Sequence, residues 1–387
     1  MKFNLQIIAS ILAFFIGYEL LLPTSTEGSL WFQGPHFNPP YLISRMEIIN
    51  GFFLKDLIAI IYILLTFFLK KQFKFNSFLN KIKNIYFSIF FYGLIIALFS
   101  EHIYDVFENI RLLIILLSLL CFYYSDKNKT LLAFAIGLVV SGLINLYISY
   151  TFNLYGLKPI FFLVNQNGPG PIAAVLLHLF IGYRRSLWFY KLFNLVLISI
   201  VILSLSKIAY LIFILYLIRY IFTQDLKYKK LIILSMFIIG VVFSSVITSI
   251  FEVKFSEGFS IIDQEGGDQT RLAYYRSQIE IFQEKPLGVS YSGYYNAIKQ
   301  TNDFKNGIIT ETDPERANPH STFLYYISSH GIFGIFILFY FIFMLQFSNY
   351  PTKNIFTNLS VVIFLSTIPF FFVSYFFLLP FILLNKE

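Results

Sequence analysis

The chain has 387 residues, 57 % of them hydrophobic and only 13 % charged, with 49 Phe, 27 Tyr and a formal net charge of +8. A soluble domain is about a quarter charged and could not hide this much apolar surface. The mean hydropathy of +0.70 therefore excludes a chain of water-soluble domains and points to an all-α polytopic integral membrane protein.

Apolar runs of about 20 residues are long enough to cross a bilayer as helices. Taken in chain order, such runs fall at 3–22, 48–69, 85–101, 110–124, 131–150, 169–183, 187–205, 208–223, 231–251 and 321–347. The tail from Ile355 to Leu384 is apolar and interrupted by Pro369. It reads as two short spans turning at that proline, with one kinked helix as the alternative. The total is about twelve transmembrane helices in a single membrane domain, 1–387, with both termini on one side. The first run follows Lys2 and has no small-residue cleavage site before Pro23, so it reads as an uncleaved span and not a signal peptide.

Lysine and arginine orient the bundle, because short loops rich in them stay cytoplasmic. Seventeen basic residues fall on one side, from Lys2 through the groups at 70–83, 127–129, 184–191 and 219–230 to Lys353 and Lys386. The opposite short loops hold only Arg45, Arg111, Lys158 and Lys207. This places both termini in the cytoplasm. The net charge is thus a topology signal, and nucleic acid is not expected as a partner. Cys121 is the one cysteine, which excludes an internal disulfide and a Cys-based zinc site.

One extramembrane segment has any size, 252–320, inserted before helix ten on the non-cytoplasmic side. It holds eleven of the 21 acidic residues and seven basic ones, a soluble composition. Connections of this length are usually functional or disordered. A helix-compatible stretch runs from Thr270 to Glu284 and stops at Lys285-Pro286-Leu287-Gly288. The polar stretch 301–319 reads as an irregular return to the membrane.

Of five histidines, His36 and His102 fall in short outer loops, and His178 falls inside span six, where it is expected to pair across helices. His320 stands where the large loop meets span ten. On a continuous helix, Gly331 and Gly334 would lie about 20° and 40° from it around the axis, a stripe of small residues suited to close packing. His330 reads as a packing residue. Arg111, Lys207, Arg271 and Arg276 are outer cations, and each serves either to hold an anion or to pair with a neighbouring carboxylate. Asn165-Gln166-Asn167, just before Gly168-Pro169, is either a turn that starts a helix at proline or a set of amides, Asn165 and Asn167, lining a polar pocket. Lys55-Asp56 in span two reads as a structural pair.

These residues resemble a family. His320-Ser321, nine residues, Gly331, two residues and Gly334 fit the H-[N/S/Q]-x9-G-x-x-[G/T/Y] pattern of bacterial O-antigen ligases and related polymerases. Arg271-Leu272-Ala273-Tyr274-Tyr275 with Pro286-Leu287-Gly288 resembles the family's arginine–aromatic–Pro-hydrophobic-Gly segment. Asn165-Gln166-Asn167 resembles its Asn-x-Asn turn, and Ser206-Lys207 stands where the family often has Ser-Arg. The resemblance implies a membrane glycan transferase of the bacterial inner membrane with a periplasmic active site. Its donor would be an undecaprenyl-diphosphate-linked saccharide and its acceptor a saccharide or lipid A-core, with a chain-length regulator as a further partner and with no cofactor and no metal. His320 and Arg271 would be catalytic; Arg111, Lys207 and Arg276 would be diphosphate ligands. Polymerases occur in many polysaccharide loci, which favours polymerase over ligase. A transporter for the same lipid-linked units is the rival from another class, with a sensor or structural role behind it. Transporters usually show internal repeats, and none is evident.

Overall fold

The computed structural model describes residues 2–21, 47–49, 52–70, 74–98, 103–154, 169–181, 183, 188–204, 206–223, 268–309, 321–345, 354–367 and 378–384. The protein is helical almost throughout these segments. In chain order the helices are α1 Lys2–Leu20, α2 Leu54–Leu69, α3 Ser77–Leu98, α4 Ile103–Phe122, α5 Lys127–Leu154, α6 Pro169–Leu179, α7 Trp188–Ser204, α8 Lys207–Thr223, α9 Asp268–Glu284, α10 Tyr291–Ile298, α11 Asn302–Lys305, α12 Thr322–Leu345, α13 Ile355–Thr367 and α14 Leu378–Leu384. A two-stranded antiparallel ribbon, β1 Glu47–Ile49 and β2 Phe52–Phe53, precedes α2. The span expected from 48 therefore becomes helical only at Leu54.

Helix starts are set by residues whose side chains replace a missing backbone acceptor. Asn76 Oδ1 accepts from Leu79 N ahead of α3 at 2.9 Å. Asp126 Oδ1 accepts from Asn128 N and Lys129 N ahead of α5 at 2.9 and 3.0 Å. Asn354 Oδ1 accepts from Phe356 N ahead of α13 at 3.0 Å. Ser206 and Ser321 cap α8 and α12 more loosely, at 3.4 Å each.

Neighbouring helices form a closed circuit: α1 packs on α5, α5 on α7, α7 on α6, α6 on α8, α8 on α13, α13 on α12, α12 on α3, α3 on α4, α4 on α2, and α2 on α1. The tightest seam is α1 with α5. A Cβ on Gly17 would overlap the Phe134 carbonyl, and one on Gly137 would overlap the Phe14 carbonyl. Without a hydrophobic drive between helices in lipid, such backbone-to-backbone approach is a main source of association.

Among the described residues three helices are long and apolar enough to cross a membrane by length and composition, Leu79–Leu98, Lys127–Tyr150 and Thr322–Tyr340, the last interrupted at Gly331. Shorter apolar helices complete the bundle. Phe68, Leu98, Phe336 and Phe339 are exposed on its outside, a distribution that suits lipid and would aggregate in water. The ninth run, 231–251, lies outside the described residues, as does Pro369. The tail resolves into two helices on different parts of the circuit: α13 packs on α6, α8 and α12, whereas α14 packs on α4 and α5. Lys127 Nζ donates to the Leu384 carbonyl at 3.3 Å, tying α14 to the start of α5.

Two buried cations, Lys55 and Arg219, find partners on other helices. Lys55 of α2 forms an ion pair with Glu19 of α1, both almost fully buried. This partner comes from another helix, 36 positions away in the chain. Arg219, counted above among the basic loop residues, is wholly buried in the bundle. It donates to the His178 carbonyl of α6 at 2.8 Å and to Thr357 Oγ1 of α13. The His178 ring lies against Ile212 O at 3.1 Å and Ser360 Oγ at 2.9 Å. Ser360 Oγ already donates to Phe356 O, so the ring Nε2 carries the proton in this contact. The expected pairing of His178 across helices is therefore present.

Candidate functional site

The described part of the large loop, 268–309, is folded. Arg276 of α9 grips Asp303 of α11 with two parallel bonds, Nε and Nη2 each 3.0 Å from a carboxylate oxygen. This hydrogen-bonded carboxylate raises the guanidinium above its ordinary pKa. Ser277 Oγ meets Thr301 Oγ1 at 3.0 Å. Glu280 accepts from the Asn302 backbone and side chain at 2.8–3.2 Å. Gln278 Nε2 donates to Tyr294 OH at 2.7 Å, and the Tyr294 ring stands edge-on to Tyr325 of α12 at 4.9 Å. Tyr274, Ile281, Ile298 and Ile309 fill the space between. The stretch from 301 to 309, expected to be irregular, is held in place by buried Thr301, Asp303 and Ile309.

The folded loop packs on α12, and one segment of it enters a break in that helix. α12 is interrupted at Gly331, with φ 59° and ψ −142°, backbone angles that residues with a side chain rarely adopt. In a straight helix residues 326 and 334 would be about 12 Å apart. Here a Cβ on Gly334 would overlap the Tyr326 carbonyl, so the second half folds back on the first. The stripe expected from His320 through Gly331 to Gly334 therefore does not continue past 331, and α12 is two helical pieces.

Into the break fits Pro286-Leu287-Gly288. A break in a helix leaves carbonyls and amides without their usual partners, and the inserted segment satisfies them. Val289 N donates to Ser328 O at 3.2 Å, Ser290 N donates to Ser329 O at 3.0 Å, and Ile332 N donates to Pro286 O at 2.9 Å. Gly288 (φ 91°) and Gly331 face each other backbone to backbone, and a Cβ on either would overlap main-chain atoms of the other's segment. Ser290, next in line, holds φ 71° despite its side chain. Its Oγ caps α10 by accepting from Gly293 N at 3.1 Å. Tyr92 of α3 closes the junction from the side: its hydroxyl donates to Leu287 O, and its ring lies 4.3 Å from that of Phe333. His330 is buried in this packing, with Nδ1 2.9 Å from Ser329 Oγ and its ring 5.0 Å from Tyr326.

Four of the singled-out positions fall on described helices. Arg271 lies in the first turn of α9, and Arg276 follows in the body of the same helix; α9 and α10 both pack on α12. Arg111 lies within α4, which begins at Ile103, and α4 also packs on α10. Lys207 is the first residue of α8, whose neighbours are α6, α7 and α13. His320 precedes Ser321, the cap of α12. His320, Asn165 and Asn167 lie outside the described residues, together with His36 and His102. Tyr92, Ser290 and Asp303 carry the geometry yet escaped the sequence. Asp303 alone left a trace there, as a loop carboxylate available to an outer cation.

Residues 192–339 match the family model described as O-antigen ligase. No curated protein matches the chain. The match covers less than half of the chain, from α7 through the folded loop to the second half of α12, and so contains the whole junction of 286–290 with Gly331. Over this stretch the resemblance to the O-antigen ligases and related polymerases is confirmed, and with the apolar helices it makes this an integral membrane protein.

Proposed function

We propose that the protein is a glycosyltransferase that moves a saccharide chain from undecaprenyl diphosphate to an acceptor hydroxyl at the periplasmic face of the bacterial inner membrane, as a polysaccharide polymerase. The observation that carries the proposal is the docking of Pro286-Leu287-Gly288 into the break at Gly331. Two separate pieces of the family's motif thus meet in one junction, within the stretch that matches the family model.

The reaction is a displacement at the anomeric carbon. The acceptor hydroxyl oxygen forms a new bond to that carbon, and the bond from carbon to diphosphate oxygen breaks with its electron pair. His320 takes the hydroxyl proton, since an imidazole titrates near working pH. Arg271 balances the charge developing on the leaving diphosphate, since a guanidinium fork binds phosphate oxygens in pairs. Arg111 and Lys207 are further cations for the diphosphate, and Asn165 and Asn167 line the sugar pocket. The Arg276 fork is occupied by Asp303, so Arg276 serves the site by holding α9 on α11. The step uses no metal and no cofactor. A chain-length regulator is the proposed protein partner.

The test is a deletion strain complemented with wild type, His320→Ala or Arg271→Lys, with surface glycans and undecaprenyl-linked intermediates resolved on a gel. His320→Ala is expected to abolish transfer with membrane insertion intact. Arg271→Lys is expected to be impaired although the charge is kept. Single-repeat caps in place of a ladder identify a polymerase. A full-length polymer stranded on undecaprenyl and missing from lipid A-core identifies a ligase. Unchanged surface glycans and unchanged undecaprenyl-linked intermediates in the deletion strain would refute glycan transfer.

A further inference from the structure

Tyr92 belongs to α3, well before the matched stretch begins at residue 192. It is nevertheless the side chain that α3 sends into the junction. Its hydroxyl donates to the carbonyl of Leu287, the middle residue of the inserted Pro-Leu-Gly segment. Its ring covers Phe333, just past the break, at 4.3 Å, and reaches the His330 ring at 6.1 Å. One side chain therefore touches both halves of the broken helix and the segment wedged between them. The hydrogen bonds that join the wedge to the two halves of α12 run from main chain to main chain. Val289 and Ser290 bond to Ser328 and Ser329 on one side of the break, and Ile332 bonds to Pro286 on the other.

The first half of α12, from Thr322 to the break, is about 14 Å long at the helical rise per residue. It is pinned at its far end by this junction and along its length by Tyr294 against Tyr325. Where its first turn points depends on how firmly the break is held. His320 immediately precedes that turn in the chain.

We propose that Tyr92 is a positioning residue for glycan transfer: by holding Leu287 and Phe333 together it fixes the Pro286–Gly288 wedge in the break at Gly331, and through it the half-helix that follows His320. This rests on the assignment of His320 as the group that takes the acceptor proton. Tyr92 itself touches no reacting atom. Its loss leaves the donor and acceptor sites in place and degrades the geometry of attack, to which rates are steeply sensitive.

Tyr92→Phe is the test, because it keeps the ring on Phe333 and removes only the hydroxyl. Two readouts are made on the purified full chain in detergent. The first is amide hydrogen exchange, in which Val289, Ser290 and Ile332 should exchange at least about fivefold faster than in wild type, as expected for a lost hydrogen bond. The second is transfer from an undecaprenyl-diphosphate-linked saccharide. Here kcat per folded molecule should fall at least about fivefold, with KM for the donor within about twofold and an unchanged thermal midpoint.

Unchanged exchange at those three amides would overturn the clamp. Faster exchange with unchanged kcat would show that the clamp does not position the reaction. A fall in activity that tracks a lowered thermal midpoint would make Tyr92 merely structural. Failure of the underlying assignment looks different: His320→Ala would retain turnover, or the wild type would transfer no saccharide, while the exchange result would still decide whether Tyr92 holds the wedge.

Discussion

At the scale of single residues, the ion pair of Lys55 with Glu19 shows most directly what burial does in this bundle. A surface pair would contribute little, but these side chains are 7 % and 1 % exposed, where removing one partner strands the other charge at a cost of about 3–5 kcal/mol. Lys55→Met should therefore lower the thermal unfolding midpoint in detergent substantially. The double variant Lys55→Met with Glu19→Gln should recover most of the loss, because Glu19 no longer carries a charge stranded by the loss of its partner. Equal destabilisation by the single and the double variant would show that Glu19 is held by something else. The pairing itself could not be read from the sequence, since Glu19 and Lys55 sit 36 positions apart and the adjacent Asp56 offered a nearer partner. Arg219 teaches the same point. Its place near the end of an apolar run looked like a loop cation, and only the approach of α6 and α13 reveals it as a buried donor.

At the scale of elements, the decisive feature is the broken α12. Its composition is that of an uninterrupted membrane helix, and glycine alone does not announce a break, because glycines are common in membrane helices for close packing. Gly331 was legible as a motif position; its conformation was not. Gly331→Ala should be severely damaging for two independent reasons. A side chain at φ 59° costs about 1–3 kcal/mol, and its Cβ would overlap the Pro286 carbonyl. Gly334→Ala tests the fold-back separately, since its Cβ would meet the Tyr326 carbonyl and the His330 side chain. The expected outcome is loss of monodisperse protein on size exclusion for Gly331→Ala, with faster exchange at Ile332 in any protein recovered. Wild-type yield and stability for that variant would mean the break can straighten without penalty.

At the scale of the whole molecule, one helix packs against the closed circuit from beside it. α14, the last described segment, is only seven residues long, yet Leu379, Phe381, Ile382 and Leu383 are essentially completely buried, and the helix packs on α4 and α5. Fully burying a large apolar side chain in water-soluble proteins contributes about 1.5–3 kcal/mol; between membrane helices the gain is packing, and smaller. Truncation after Phe377 should still lower thermal stability measurably and release Lys127 from Leu384. The loss should appear first as faster exchange at the start of α5. An unchanged midpoint would show that α14 is dispensable for the bundle.

Sequence alone determined the class of the molecule, because the cost of exposing so much apolar surface to water leaves a membrane chain no alternative. It also determined most helix positions, since a bilayer fixes how long an apolar run must be. The family resemblance marked Pro286-Leu287-Gly288 and Gly331 as positions of two separate motif segments, and the sequence placed a helix over 270–284 close to where α9 lies. Tertiary structure decided everything that depends on contact between distant segments: that the Pro-Leu-Gly turn fills a gap in α12, that Arg276 is committed to Asp303, that 301–309 is packed and not irregular, and that Tyr92 reaches across to hold the junction. The physical reason is the same in each case. Hydropathy and spacing report what a segment does with its solvent, whereas a freed carbonyl or a buried charge is satisfied by whichever partner the fold brings within hydrogen-bonding distance.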